Sequence, residues 1–213
     1  AFTRGGLAVI QDAVAGPGPL VYRRTLGADT ELVLLNTSKR KALVAAADSG
    51  LPAGSTLQVL HDEQQPGAPG VGPGGLITMP LPPKSVIIAR ASGQVVPPPA
   101  PGATITVTTP IAGQTFGADV TFRGTVSPAA TRLQMVLDAN LDRATPVPVA
   151  GDGSWSVVLP VSSFATGTYQ HDVAFHAPDV NVATPPARFT TNVVFRGATY
   201  DFPDPAGDDR GPG

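Results

Sequence analysis

Val95-Val96-Pro97-Pro98-Pro99-Ala100-Pro101-Gly102-Ala103 decides how this chain is divided. Proline fixes φ and has no N–H to donate, so neither a helix interior nor a central strand runs through this stretch. Pro-rich chain adopts extended polyproline II and acts as a semi-rigid spacer. Apolar, strand-like sequence lies on both sides. The expectation is an all-β protein of two tandem β-sandwich domains, 1–93 and 104–196, joined by a linker over 94–103 and followed by a tail over 197–213. The two domains are expected to fold independently, with few contacts between them.

The bulk composition fits that division. A chain of 213 residues holds two domains of about 100. Hydrophobic residues make up 42%, enough for each half to bury a core, while charged residues are only 14%, against an ordinary quarter or so. The net charge of −2 leaves no basic footprint for a phosphate backbone, which argues against nucleic-acid binding. With 24 glycines and 24 prolines between short apolar runs, the chain reads as strands and turns. Cysteine is absent, which excludes disulfides and thiolate metal sites. No apolar run has the length of a bilayer-spanning helix. The chain opens at Ala1 without an initiator methionine or a signal peptide, so an internal piece of a longer protein is expected.

In the first half, strand-length apolar runs recur at Leu7–Ile10, Leu20–Arg23, Glu31–Leu35, Ala42–Ala45, Thr56–Leu60, Leu76–Met79 and Ser85–Ala89. Arg40 to Asp48 could also form a short helix on propensity alone. Asn36, at a strand end, is expected to bond local backbone. Arg23 and Arg24 alternate across a strand, so one faces solvent and the other is free to pair at an interface. His61-Asp62-Glu63 points in alternating directions on an extended chain, which argues against a metal or acid–base group.

The order of these runs carries a resemblance. Phe2-x-Arg4-Gly5, Leu20-Val21-Tyr22-Arg23-Arg24, Glu31-Leu32-Val33-Leu34-Leu35-Asn36-Thr37-Ser38, Leu51-Pro52-Ala53-Gly54 and Leu81-Pro82-Pro83-Lys84-Ser85-Val86-Ile87-Ile88 together resemble the C-terminal β domain of α-amylase-like enzymes of glycoside hydrolase family 13. The resemblance implies a domain that packs on an upstream catalytic barrel of the same chain, in an exported bacterial enzyme acting on α-glucan polysaccharide.

The second half alternates cleanly. Ile105 and Val107; Val120, Phe122 and Val126; Leu133, Met135 and Leu137; Trp155, Val157 and Leu159; Tyr169, His171, Val173 and Phe175; and Phe189, Thr191, Val193 and Phe195 each line one face of a strand. Gly151-Asp152-Gly153 signals a hairpin. Thr109-Pro110, Val120-x-Phe122-x-Gly124-x-Val126, Asp152-Gly153-Ser154-Trp155 and Gly167-Thr168-Tyr169 resemble a bacterial immunoglobulin-like domain, which implies a spacer of secreted enzymes or surface proteins. Trp155 is expected in the core. Trp155 and Tyr169 are also the candidate carbohydrate contacts, since aromatic rings are what a sugar stacks on. His171 and His176 fall on opposite faces of one strand, which argues against a zinc pair; His171 is expected to be hydrogen-bonded near a strand end.

In the tail, Asp201, Asp204, Asp208 and Asp209 crowd among turn formers. Asp204-Pro205-x-Gly207-Asp208-Asp209-x-Gly211-Pro212-Gly213 resembles the opening of the C-terminal module of glucodextranase-related enzymes. That resemblance implies an incomplete third domain, with Ca²⁺ as a cofactor only of the full-length protein. No nucleophile elbow, P-loop, zincin helix or dinucleotide fingerprint occurs, and no carboxylate pair stands in a recognisable catalytic motif. The chain is therefore expected to be non-catalytic. Two classes of function stay open: an accessory region of an α-amylase-like glycosidase, or a tandem-sandwich segment of a bacterial surface or adhesion protein. An outer face of the first domain that is apolar and carries arginines favours the former; two self-contained polar surfaces favour the latter.

Overall fold

Glu31-Leu32-Val33-Leu34-Leu35 and Val86-Ile87-Ile88-Ala89 sit side by side at the centre of the first half. They belong to β3 (Asp29–Asn36) and β7 (Ser85–Val95), flanked by β2 (Pro19–Leu26), β1 (Gly6–Gln11) and β5 (Ser55–Asp62) in the order β1-β2-β3-β7-β5. Pairing is antiparallel throughout, with Leu34 between Val21 and Ile87 and Val33 between Tyr22 and Ile88. The computed structural model describes residues 5–62, 64, 67–95, 103–110, 112–127 and 130–194. Among them there is no α-helix, so none long and apolar enough to cross a membrane, and the fold is all-β.

A second layer, β4 (Ala42–Asp48) paired with β6 (Leu76–Leu81), covers one face of the five-stranded sheet. Val21, Leu32, Leu34, Ile87 and Ala89 meet Val44, Ile77, Met79 and Leu81 in a core where no side chain is more than 8% exposed. Ala42–Asp48 is thus a strand, correcting the helical alternative over Arg40 to Asp48: its backbone pairs with β6 on one edge and meets Gln11 and Ala139 on the other, which outweighs the alanines' helix preference. Two polar residues pin the ends of this sandwich. Asn36 donates to Arg40 O and Pro82 O, both at 2.7 Å, and accepts from Ser38 N and Oγ, tying the β3 end to local chain and to the β6–β7 turn. Arg23 Nη1 donates to Ser49 O at 2.8 Å across Gly50, where a Cβ would lie 1.3 Å from that nitrogen.

The second half is a sandwich of β8 (Ile105–Thr109), β10 (Val120–Val126) and β13 (Ser154–Leu159) against β9 (Thr115–Phe116), β11 (Leu133–Leu137), β12 (Thr145–Val147), β14 (Gly167–Ala177) and β16 (Ala187–Val193). The short β15 (Val182–Ala183) pairs with β14, and β9 runs parallel to β16. Its core centres on Phe175, with Trp155 at 4.4 Å and Phe122 at 5.6 Å between ring centroids. Gly124 faces Trp155 across the β10–β13 ladder, and a Cβ there would meet Trp155 Cζ2 at 2.4 Å and Thr106 O at 1.9 Å, so only glycine admits the indole.

The two sandwiches do not merely follow one another. The outer edge of β4 offers backbone groups that need partners. Gln11 supplies two from within the first half: its Nε2 donates to Leu43 O at 3.3 Å and its Oε1 accepts from Ala45 N at 3.0 Å. The second half supplies two more, with Leu43 N donating to Ala139 O at 2.9 Å and Leu141 N to Lys41 O at 3.0 Å. Leu43 and Ala45 then pack on Val136, Ala174 and Ala183. This joint corrects the expectation of few contacts between the halves. β7 also runs on to Val95, past the start expected for the linker, while 96–102 and the tail from 195 lie outside the described residues.

Replacing Trp155 by alanine empties the second core. The expected cost is about 3–5 kcal/mol, read from chemical denaturation; a change below about 1 kcal/mol would contradict the packing described.

Candidate functional site: an uncovered face of the first sheet

Side chains alternate across a strand, so the residues between those of the core point to the opposite face of the five-stranded sheet. Register places Leu7 and Val9 of β1, Leu20 and Tyr22 of β2, Val33 and Leu35 of β3, and Val86 and Ile88 of β7 there. None of them belongs to a hydrophobic core among the described residues. Val33, at the centre, is 2% exposed, whereas Leu7 and Val9 at the margin are 59% and 60% exposed.

One cross-strand row on this face is charged: Arg24 of β2, Glu31 of β3 and Arg90 of β7 stand abreast. Glu31 is fully buried. Arg90 grips its Oε1 with Nε at 3.1 Å and Nη2 at 2.6 Å, and the hydrogen bond followed by the charge attraction raises the guanidinium's pKa. The surface is apolar in the middle and carries a row of charged residues along one border.

The residues expected to carry function fall elsewhere. Trp155 is 4% exposed and packs at a tilt of 35° against Phe175, in the core as expected, and this corrects the alternative of a carbohydrate contact: a core indole has no face to offer a sugar. Tyr169 is 49% exposed at the start of β14, its ring within 3.0–3.3 Å of a Cβ placed on Gly167. Asp201, Asp204, Asp208 and Asp209 lie outside the described residues. Among the described residues, no three or more His, Asp or Glu groups stand together as metal ligands. His171 lies between Phe164 and Phe189, with Nδ1 2.8 Å from Asp138 Oδ2, as befits a hydrogen-bonded residue within a strand. Asp138 Oδ1 also accepts from Asp172 N, and Asp172 pairs with Arg188 at 3.1 Å, so these carboxylates have structural partners.

Asp119, Asp152 and Asp179 are likewise turn anchors. Each accepts an N–H and a hydroxyl from one residue, Ser162, Ser154 and Thr131 respectively, and those bonds hold each carboxyl below its ordinary pKa. Two hollows lie among the described residues. One, of about 20 Å³, lies at the joint between Gln11, Leu43, Val136 and Asp172 and has room for a single water. The other is an open groove of about 420 Å³ lined by Ile105, Val107, Phe122, Phe175 and Pro185, with no titratable group among its described lining residues.

No protein family's sequence profile matches the chain, and no curated protein matches it. Solved structures with partial similarity include the endo-β-1,4-mannanase from Thermotoga petrophila, at 15% identity over 44% of this chain and 20% of that one, TM-score 0.35. They also include γ-CGTase from Alkalophilic bacillus clarkii, at 17% identity over 88% of this chain and 26% of that one, TM-score 0.33. A third is a structure of the Clostridium thermocellum CbhA fibronectin(III)-like modules, at 12% identity over 43% of this chain and 96% of that one, TM-score 0.26. The chain thus spans about a fifth of the mannanase and a quarter of the CGTase. Superpositions this loose carry no assignment of family or activity.

Arg90→Ala leaves the Glu31 carboxylate buried without its cation and is expected to lower the melting temperature. Adding Glu31→Gln to that variant removes the stranded charge and is expected to restore part of the loss. A double variant no more stable than Arg90→Ala would contradict the pairing.

Proposed function

We propose that this chain is a non-catalytic accessory region of an exported α-glucan-active glycoside hydrolase. In this reading the uncovered face of the β1–β5 sheet packs on the catalytic barrel upstream in the same polypeptide. The second sandwich, held by the joint, spaces or presents further carbohydrate-binding modules downstream. The observation that carries the proposal is the apolar outer face with its Arg24–Glu31–Arg90 border. Covering Leu7 and Val9 alone would contribute on the order of 1–2 kcal/mol each. The nucleophile and general acid of glycoside hydrolysis, two carboxylates about 5 Å apart in retaining enzymes, then belong to the barrel. The resemblance of Leu35-Asn36-Thr37-Ser38 and Pro82-Pro83-x-Ser85-Val86 to the amylase-type β domain supports the same reading.

Hydroxyl-radical footprinting tests the proposal. Leu7, Val9 and Tyr22 are expected to be oxidised readily in this chain alone, and several-fold less in the polypeptide extended upstream of Ala1. Equal oxidation in both would contradict it. This chain alone is also expected to leave starch, pullulan and dextran intact; turnover abolished by a single Asp or Glu substitution would overturn the non-catalytic assignment.

A further inference from the structure

We propose that the joint between the two sandwiches loosens on acidification, with His176 as the group that senses the proton. His176 is 3% exposed. On β14 it shares a face with Ala174, and across the ladders it pairs with Gln134 and Ala183. Ala174 and Ala183 are the residues that pack on Leu43 and Ala45 of the first sandwich, so the imidazole stands in the same layer as the joint. Asn181, four residues before Pro185 in the turn leading out of β14, donates from Nδ2 to Thr78 O at 2.9 Å and so fastens that layer to β6.

With the Gln134 amide nitrogen turned to the ring, the hydrogen bonding suits the neutral imidazole. Nδ1 lies 2.9 Å from Gln134 Nε2, an amide nitrogen that can only donate, so Nδ1 is the acceptor and the proton is on Nε2. Nε2 is buried and has no hydrogen-bond partner among the described residues. A second proton would therefore break the Gln134 bond and place a charge on a buried ring, with the Asn181 side chain as its remaining polar neighbour.

The charged neighbours do not offset this. Neither β11 nor β6 contains a titratable residue, β15 contains none, and β4 contains only Asp48 at its exposed end. Arg132 precedes β11. Asp179, in the turn after β14, is occupied by Thr131 N at 2.7 Å and Oγ1 at 2.8 Å. Asp172, on the same face of β14, is paired with Arg188, and Asp142 accepts from Lys41 N at the joint's border. Burial lowers the pKa of His176 from 6.5, against the smaller opposite effects of Asn181 and Asp179. A base depressed in the folded state binds more protons when released. The joint is accordingly at full strength above 6.5 and weakens as the pH falls from there toward the folded-state value.

Amide hydrogen exchange on the whole chain tests this. Between about pH 7.5 and pH 5, after correction for intrinsic rates, the Leu43 and Leu141 amides, which bond across the joint, are expected to lose protection severalfold. The core amides of Leu34 and Phe122 are expected to hold theirs. His176→Gln cannot titrate, and its joint amides are expected to respond no more than the core does. Unchanged joint protection at the lower pH, or the same loss in His176→Gln, would overturn the proposal. Should that variant not fold, imidazole ¹⁵N shifts of the unaltered protein decide instead: a His176 midpoint below 6.5 that coincides with joint opening supports the proposal, and one at or above 6.5, or without coincidence, overturns it.

Discussion

A strand in an antiparallel sheet with one face in water alternates between apolar and polar residues, because each face answers to a different solvent. The centre of the first sandwich does not obey that alternation. Leu32-Val33-Leu34-Leu35 on β3 and Val86-Ile87-Ile88-Ala89 on β7 are apolar in both directions. β4 and β6 explain only one direction, the one taken by Leu32, Leu34, Ile87 and Ala89. The other is answered by nothing among the described residues, and the functional reading of the chain depends on it.

The same demand, that exposed backbone and apolar surface find partners, accounts for the joint. β4 would be an open edge beside an apolar layer of Leu43 and Ala45. Gln11 closes one part of that edge with its side-chain amide, and the turn around Asn140 closes the next with backbone. The result is a chain in which the second sandwich is held to the first by paired backbone as well as by the segment between them. His176 sits in the layer that makes this hold, so the joint's strength is tied to one imidazole.

Much of the architecture is legible in the sequence. The seven runs of the first half are its seven strands, and the period-two series of the second half are β8, β10, β11, β13, β14 and β16. The strands without a sequence signal, β9, β12 and β15, are two or three residues long, too short for any period to register. β4 is ambiguous because Ala45-Ala46-Ala47 favours a helix locally, and only pairing from distant chain decides against it. The joint is invisible for a related reason: a glutamine at position 11 gives no sign that it will complete the edge of a strand more than thirty residues away. The outer face, by contrast, is open to reading. The missing alternation in β3 and β7 is present in the sequence, and it signals burial on two sides as well as strand length.

The central claim is that Leu7, Val9 and their neighbours face another domain and not water. The most direct measurement is the stability of the Leu7→Lys, Val9→Lys double variant in two contexts. In this chain alone, where both side chains are exposed, substitution is expected to change unfolding free energy by no more than about 0.5 kcal/mol per site. In the polypeptide that also carries the upstream domain, the same variant is expected to weaken the docking of the two parts, seen as separate unfolding transitions or faster proteolysis between them. Indifference in both contexts would mean that the face looks onto solvent, and would contradict the account.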